Sequence, residues 1–489
     1  MESDLRHALT MLIVSATAMT VEIVAARMLA PLVGMTVYSW TAVITVVLAG
    51  LSLGHWIGGR IADGPAATHG RWVFGLILAT AGASLAPVAL IQPIADLVFA
   101  LAPGWMLSVV GLAGLGFFLP SLLAGTVTPI ITTMAVAEQP DHAGAVIGRM
   151  FALGAAGAIL GTAGAGFVLL QWVGSNGSLA LVAAVELGAA ALYAERDRVS
   201  LAGAVVGLAL LIGAGVAAAA PAYCKVESRY HCLSVIDTSS WAGFPSRGLL
   251  MDGWVQSIEP MDGSGRLAID AHAFLDAWSV RRFPADAVWS AYFVGGGGNS
   301  LPGRWVARWP GVTTTVAELD PAVTRLAEAE GFFTPSPRIQ MRHADARTKL
   351  EREDARFDLI FSDAYSGHTM PAHLVSLEFH RRVAARLTDR GVYAINVHDW
   401  ADRPRFLAAL VRTLKLVFPE VTVWASGQAT RPGRRSYFNV LASSAPIVRA
   451  AVSERWGGRV WRVLEVVPGT ADAPILTDDF APVDRLTLR

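Results

Sequence analysis

Four short segments of this chain place glycines or carboxylates directly after apolar, strand-like runs. The first is Tyr292-Phe-Val-Gly-Gly-Gly-Gly-Asn299, where Gly295, Gly296, Gly297 and Gly298 let the backbone press against a ligand that side chains would exclude. The second, Ala317-Glu-Leu-Asp320, sets Glu318 where an acidic residue accepts hydrogen bonds from ribose hydroxyls. The third, His343-Ala-Asp-Ala346, offers Asp345 to an adenine amino group, with Ala346 beside it. The fourth, Leu359-Ile-Phe-Ser-Asp-Ala-Tyr-Ser366, supplies Asp363, Tyr365 and Ser366, with His368 two residues on, as candidates for a reacting centre.

Any one of these segments reads equally well as a turn or a helix cap. Four in succession give the order expected of an S-adenosylmethionine-dependent transferase fold. Further candidates stand outside the series. Asp252 and Gln256 lie in Leu250-Met-Asp-Gly-Trp-Val-Gln256, where Asp252 reads as a turn residue before Gly253 or as a nucleotide contact. His272, in Ile269-Asp-Ala-His272, is either a surface helix histidine or an acceptor contact. His398 and Asp399 end a predicted strand and either line the cleft or sit in a loop, and Asp478 and Asp479 either reach the site or cap a helix. No spacing of His, Cys, Asp and Glu marks a metal site, and no serine-hydrolase nucleophile elbow occurs.

The elements that must position these residues alternate between strand and helix. Strands are predicted at Ala291–Val294, Val312–Leu319, Ile339–Arg342, Phe357–Phe361 and Gly391–Val397, with a helix at Pro321–Glu330. This alternation implies a parallel sheet that binds ligands at the carboxyl ends of its strands. Upstream, Cys232–Asp237 and Gly248–Asp252 read as a small antiparallel β unit. The expected division is 1–221, 222–287 for the β unit and 288–489 for a Rossmann-like, methyltransferase-type α/β domain.

The first 221 residues are of another kind. They hold 7 Arg, no Lys and 10 acidic residues, against 32 basic and 29 acidic residues in the rest. Apolar runs at Met11–Leu32, Trp40–Ile61, Val73–Ile94, Leu107–Ala137, Val146–Val173, Leu179–Ala194 and Leu201–Ala220 mostly reach the ~20 residues that cross a bilayer. A multi-span helical membrane bundle of about seven helices follows, in contact with the lipid bilayer. Pro120 and Pro129 make the fourth run a candidate for a broken helix. The glycine-rich stretch Gly154–Gly166 suits close helix packing. Glu22, Arg27 and His55 fall inside spans, where ionisable groups need partners or a water-filled cavity; a Glu22–Arg27 pair and a substrate path are the alternatives.

Arginines occur in every second loop (Arg6; Arg60 and Arg71; Arg149; Arg196 and Arg198), and the intervening loops have no Lys or Arg. The positive-inside rule therefore puts the N-terminus in the cytoplasm, and seven spans put the C-terminal domain outside it. Cys224 and Cys232 are the only cysteines, enough for one bridge or two free thiols. A formal net charge of zero argues against a nucleic-acid partner.

On these residues the chain resembles the spermidine synthase family, the polyamine aminopropyltransferases, and in particular its membrane-fused bacterial relatives. The resemblance covers Tyr230 to about Trp400. It is carried by Leu250–Gln256, the glycine run, Glu318, the Asp345-Ala346 pair and Asp363, with Leu476-Thr-Asp-Asp-Phe-Ala-Pro482 similar to a stretch of the membrane-fused branch. It implies a sulfonium donor, S-adenosylmethionine or its decarboxylated form, held by Asp252, Gln256, Glu318 and Asp345, with Asp363 facing the reacting centre. It implies a small-molecule acceptor, an amine by family default, and no metal.

Two departures bear on the chemistry. The family's Gly-Gly-Gly-Asp-Gly reads Gly295-Gly-Gly-Gly-Asn299 here, so Gly298 stands where a carboxylate is usual. The family's Asp-x-x-Asp-Pro reads Asp363-Ala-Tyr-Ser-Gly367, so Ser366 stands at the second acid. A carboxylate beside the sulfonium tail would favour the free amine of a decarboxylated donor and repel an intact one. Its loss opens methyl transfer from intact S-adenosylmethionine beside aminopropyl transfer. A transporter or sensor with a nucleotide-binding domain that does no chemistry is the third alternative.

Overall fold

The computed structural model describes residues 2–102, 104–194, 201–220, 224–365, 367, 369–427, 433–454 and 458–487. Arg196, Arg198, Ser366 and His368 lie outside the described residues. The chain forms two compact units, Met1–Cys232 and Leu233–Arg489.

Each apolar run of the first unit becomes a helix: α1 Glu2–Val33, α2 Val37–Ala62, α3 Ala66–Leu101, α4 Trp105–Glu138, α5 Ala143–Gly164, α6 Gly174–Ala191 and α7 Leu201–Ala219. Among the described residues five segments, against the seven spans expected, are long and apolar enough to cross a membrane: Asp4–Val33, Val37–Ala62, Ala66–Leu101, Trp105–Glu138 and Pro140–Trp172. Pro120 and Pro129 do not break α4, which runs 34 residues. Pro129 has no N–H for the Gly125 carbonyl four residues back, and the Thr128 hydroxyl donates to that carbonyl instead at 3.2 Å.

Glycines set the closest helix contacts. Gly50, Gly54 and Gly58 of α2 face the α4 backbone at Phe118, Leu122 and Thr126, and Gly157 and Gly161 of α5 face the α1 carbonyls of Leu12 and Ala16. At each of these positions an added Cβ would overlap the neighbouring helix, so the stretch in α5 serves packing.

Polar groups gather at two levels of the bundle. Near the start of α1, His7 meets the Tyr193 hydroxyl at 2.8 Å and Glu138 at 3.2 Å, and Arg149 pairs with Asp4. Twenty residues further along α1, about 30 Å away, Arg27 is 7% exposed and pairs with Glu227 at 3.5 Å. It also donates to the carbonyls of Ser228 (2.9 Å) and Tyr230 (2.6 Å). Glu227 in turn accepts the amide and hydroxyl of Ser175 at the start of α6, and Arg229 donates to Gln171 at 2.7 Å. A disulfide between Cys224 and Cys232 closes this segment, with the Cα atoms 5.2 Å apart. Arg27 thus pairs with Glu227, supplied 200 positions downstream, and not with Glu22, which was one of the two alternatives. Glu22 is half-buried and His55 is exposed on α2.

The second unit opens with an antiparallel meander, β1 Cys232–Asp237, β2 Ser246–Met251 and β3 Trp254–Pro260, followed by helix α8 Asp270–Arg282. Asp252 and Gly253 form the two-residue turn between β2 and β3, with φ of +49° and +79°, as a type I′ hairpin requires.

The α/β part then runs β4 Trp289–Val294, α9 Ser300–Arg308, β5 Val312–Glu318, α10 Pro321–Ala329, β6 Ile339–His343, α11 Ala346–Glu351, β7 Phe357–Ser362, α12 Leu377–Arg386, β8 Leu387–Trp400, α13 Arg405–Leu414, β9 Glu420–Ser426 and β10 Arg435–Ser443. Two short strands, β11 Val452–Ser453 and β12 Val460–Val463, add to the edge, giving the order β11-β12-β9-β10-β8-β7-β4-β5-β6. Strands β4 to β8 pair in parallel, and β10 enters antiparallel between β8 and β9. Val294, Tyr292, Ile360, Tyr393 and Ile395 fill the core beneath the strand ends that carry the candidate site.

Candidate active site

The parallel sheet brings the four predicted segments to one edge. Strand β4 ends at Val294 and the chain turns through Gly295 (φ +92°) and Gly297 (φ +50°), conformations that glycine adopts without steric penalty. The loop is gripped from two sides. Glu318, at the end of β5, accepts the amides of Gly296 (3.0 Å), Gly297 (3.2 Å) and Asp320 (3.0 Å). From the meander, Ser257 of β3 accepts the Gly298 amide at 2.7 Å, and Gln256 lies against Gly297. Glu318 is therefore bonded to the loop that it was expected to complement, and a ribose would share its carboxylate with those amides.

Asp345 ends β6 and caps α11, accepting the Thr348 amide at 2.8 Å and pairing with His373 at 2.9 Å. Burial opposes its ionisation, but these partners outweigh burial and hold its carboxyl below the usual range. Ala346 is buried, and its carbonyl accepts the Tyr292 hydroxyl at 3.0 Å.

Asp363 follows β7. Its amide donates to the Val294 carbonyl at 3.0 Å, and its own carbonyl lies against Gly295, so it borders the glycine loop. Asp363 Oδ2 meets His272 Nε2 at 2.9 Å, and Oδ1 accepts from Asn396 Nδ2 at 2.8 Å. Tyr365 fixes the same corner: its hydroxyl donates to the Asn396 carbonyl at 2.9 Å and accepts the His398 amide at 3.0 Å. Burial raises the Tyr365 hydroxyl far above its ordinary range, so it stays protonated.

His272 is only 12% exposed, so it is no surface histidine. It lies two residues into α8, whose first residue, Asp270, accepts from Trp461 Nε1 at 2.9 Å. The ring meets Phe361 edge-on, with centroids 6.1 Å apart. Glu259 of β3 adds a charge that acts on His272, and burial pushes its carboxyl up to about 7.

Other candidates do not join this corner. Asp399 is fully buried and caps the start of α13, accepting the amides of Trp400 (2.8 Å) and Leu407 (2.9 Å). His398 stacks on Tyr437 at 4.8 Å, and burial lowers it to about 4, which keeps it neutral near pH 7. Asp478 makes a two-pronged ion pair with Arg347 (2.6 and 2.7 Å), which draws its carboxyl down to about 2. Asp479 is exposed.

Asn396 and Glu259 were not expected from the sequence. Asn396 sits two residues before the singled-out His398-Asp399 end and points into the same edge. Glu259 follows Gln256 by three positions on a strand. Among the described residues no group of three His, Cys, Asp or Glu side chains could hold a metal ion.

Strand order and the series of strand-end carboxylates define an α/β unit of the S-adenosylmethionine-dependent transferase type with a small β unit before it. No family model matches the chain. Its relatives give the class a more particular character. A polyamine aminopropyltransferase of Vibrio vulnificus is 31% identical over 21% of this chain and 36% of its own length. One of Corynebacterium efficiens is 28% identical over 55% of this chain and 56% of its own length. An N-terminal histidine N-methyltransferase of Emericella nidulans is 30% identical over 38% of this chain and 34% of its own length. The chain thus spans between about a third and just over half of the length of these curated relatives. All three are transferases by name, and the resemblance to spermidine synthases holds. A solved structure of a probable spermidine synthase from Corynebacterium glutamicum aligns with 54% of this chain and 99% of its own at 19% identity and a TM-score of 0.47.

Proposed function

We propose that the C-terminal unit is a transferase that moves an alkyl group from a sulfonium nucleotide to a small nucleophile, with aminopropyl transfer to an amine as the first reading. The observation that carries it is Asp363, seated against the glycine loop at Gly295 and held by His272 and Asn396. The loop, Glu318 and Asp345 supply the contacts that a nucleoside needs. Asp363 and its partners supply a polar corner beside the reacting carbon. The relatives support aminopropyl transfer.

One observation favours methyl transfer from intact S-adenosylmethionine as a second reading. A Cβ at Gly298 would stand 2.7 Å from Ser257 Cβ and 3.1 Å from Phe332, so this position admits no carboxylate to select the decarboxylated donor. Incubating purified full-length protein with each donor and following retention and consumption by mass spectrometry tests both readings. Retention of neither donor would falsify the proposal.

The bundle anchors the enzyme in a bacterial inner membrane, with the C-terminal unit outside the cytoplasm. Support comes from the alternation of arginine-bearing loops and from the return of residues 224–232 to the Arg27 end of α1. The Cys224–Cys232 bridge adds to it, since such bonds persist in oxidising compartments.

A further inference from the structure

Asp363 and His272 form a coupled pair at the glycine-loop edge. A carboxylate accepts but does not donate, so at the 2.9 Å contact the proton lies on His272 Nε2. The second oxygen of Asp363 accepts from Asn396 at 2.8 Å, so each of its oxygens already accepts one protein donor. With Nε2 protonated, the neutral imidazole keeps its lone pair on Nδ1, and Nδ1 makes no hydrogen bond among the described residues. The Phe361 ring and the Asp363 carboxylate orient the imidazole.

We propose that His272 Nδ1 is the general base that receives the acceptor's proton, and that Asp363 is a positioning residue that holds the imidazole. The inference rests on the transferase reading above. The acceptor is then a nucleophile that carries a proton into the site, such as an ammonium, an imidazole N–H or a hydroxyl. The acceptor gives one proton to Nδ1, which turns an ammonium into an amine with a free lone pair; that lone pair forms a bond to the carbon beside sulfur as the carbon–sulfur bond breaks. The bonding pair stays on sulfur to give a neutral thioether. The imidazolium so formed faces Asp363, with the Glu259 charge from β3 and the Tyr437 hydroxyl from β10 as further neighbours of the pair.

The test uses full-length protein in detergent with putrescine and each donor in turn, counting the thioether nucleoside released. His272→Gln should lower turnover at least 100-fold while donor affinity, measured by calorimetry, stays within threefold. His272→Gly should be partly restored by added imidazole, a response that a packing role does not give. Asp363→Asn should lower turnover with KM for putrescine nearly unchanged, and imidazole should not restore it. Turnover of His272→Gln within threefold of native, or a His272→Gly variant indifferent to imidazole, overturns the inference and leaves the transferase reading standing. Release of no thioether by the native protein from either donor overturns both.

Discussion

The Gly298 amide donates to Ser257 Oγ at 2.7 Å, stitching the glycine loop to the meander at the position where the resemblance to spermidine synthases leads one to expect an acid. Any side chain placed there would press on Ser257 and Phe332. Gly298→Asp should therefore destabilise the C-terminal unit by about 1–3 kcal/mol, as overpacking does, without creating a preference for decarboxylated donor. Thermal unfolding and titration of both donors into the variant check this. A tenfold gain for the decarboxylated form with unchanged stability would show that the loop yields.

In the native protein the same closed position predicts that intact S-adenosylmethionine binds at least comparably to its decarboxylated form. Calorimetric titration decides it. A preference of tenfold or more for the decarboxylated donor, about 1.4 kcal/mol, would return the site to ordinary aminopropyl selectivity.

Glu259 provides a pH-dependent term in stability. Its carboxyl sits at about 7 in the fold, above the ordinary glutamate value of 4.5, because burial disfavours the charged form. A raised pKa means that the folded state holds the proton more tightly. The stabilisation is complete below about 4.5 and is lost as pH rises through about 7. Glu259→Gln should flatten the stability profile between pH 5 and 8 and raise stability at pH 8 by on the order of 1–2 kcal/mol. Chemical denaturation across that range reads it, and parallel profiles for variant and native protein would remove Glu259 from the account.

Packing of α2 on α4 depends on glycine. Gly54→Leu should lower the thermal stability of the detergent-purified bundle by several degrees, because the new side chain meets the Leu122 carbonyl and the Thr126 amide. An unchanged melting temperature would show that the two helices separate freely.

Sidedness and the bridge are tested together. A reporter active only outside the cytoplasm, fused after Arg489, should be active, and thiol reagents should label neither Cys224 nor Cys232 before reduction. Reduction should weaken the closed segment by about 2–3 kcal/mol, the value for so short a loop. Cytoplasmic reporter activity with two freely labelled thiols contradicts both expectations.

Much of the frame was legible from the chain because its signals are local. Seven apolar runs became helices, and the strands ending at Val294, Glu318, His343 and Ser362 fell within a residue or two of expectation. The site was less legible, because its decisive pairings span long stretches of chain. His272 read more readily as a surface residue until the fold set it beside Asp363, 91 positions on. Asp399 and Asp478 stayed open between cleft and structural roles because an acid near a strand end or turn looks the same whether it faces a ligand, a helix start or an arginine. Pro129 suggested a break because the hydroxyl that compensates for it belongs to the preceding residue and acts only once the helix exists.

Arg27 is made early and satisfied late. Its partners Glu227, Ser228 and Tyr230 emerge from the ribosome some 200 residues after it, when six further helices have been synthesised. Until then the guanidinium lacks that carboxylate and those carbonyls, and under the proposed membrane placement it must reach past the helix end to the interface for solvation. A chain truncated before Glu227 removes one carboxylate and two carbonyls from that arginine, so the far end of the chain sets the environment of its first helix.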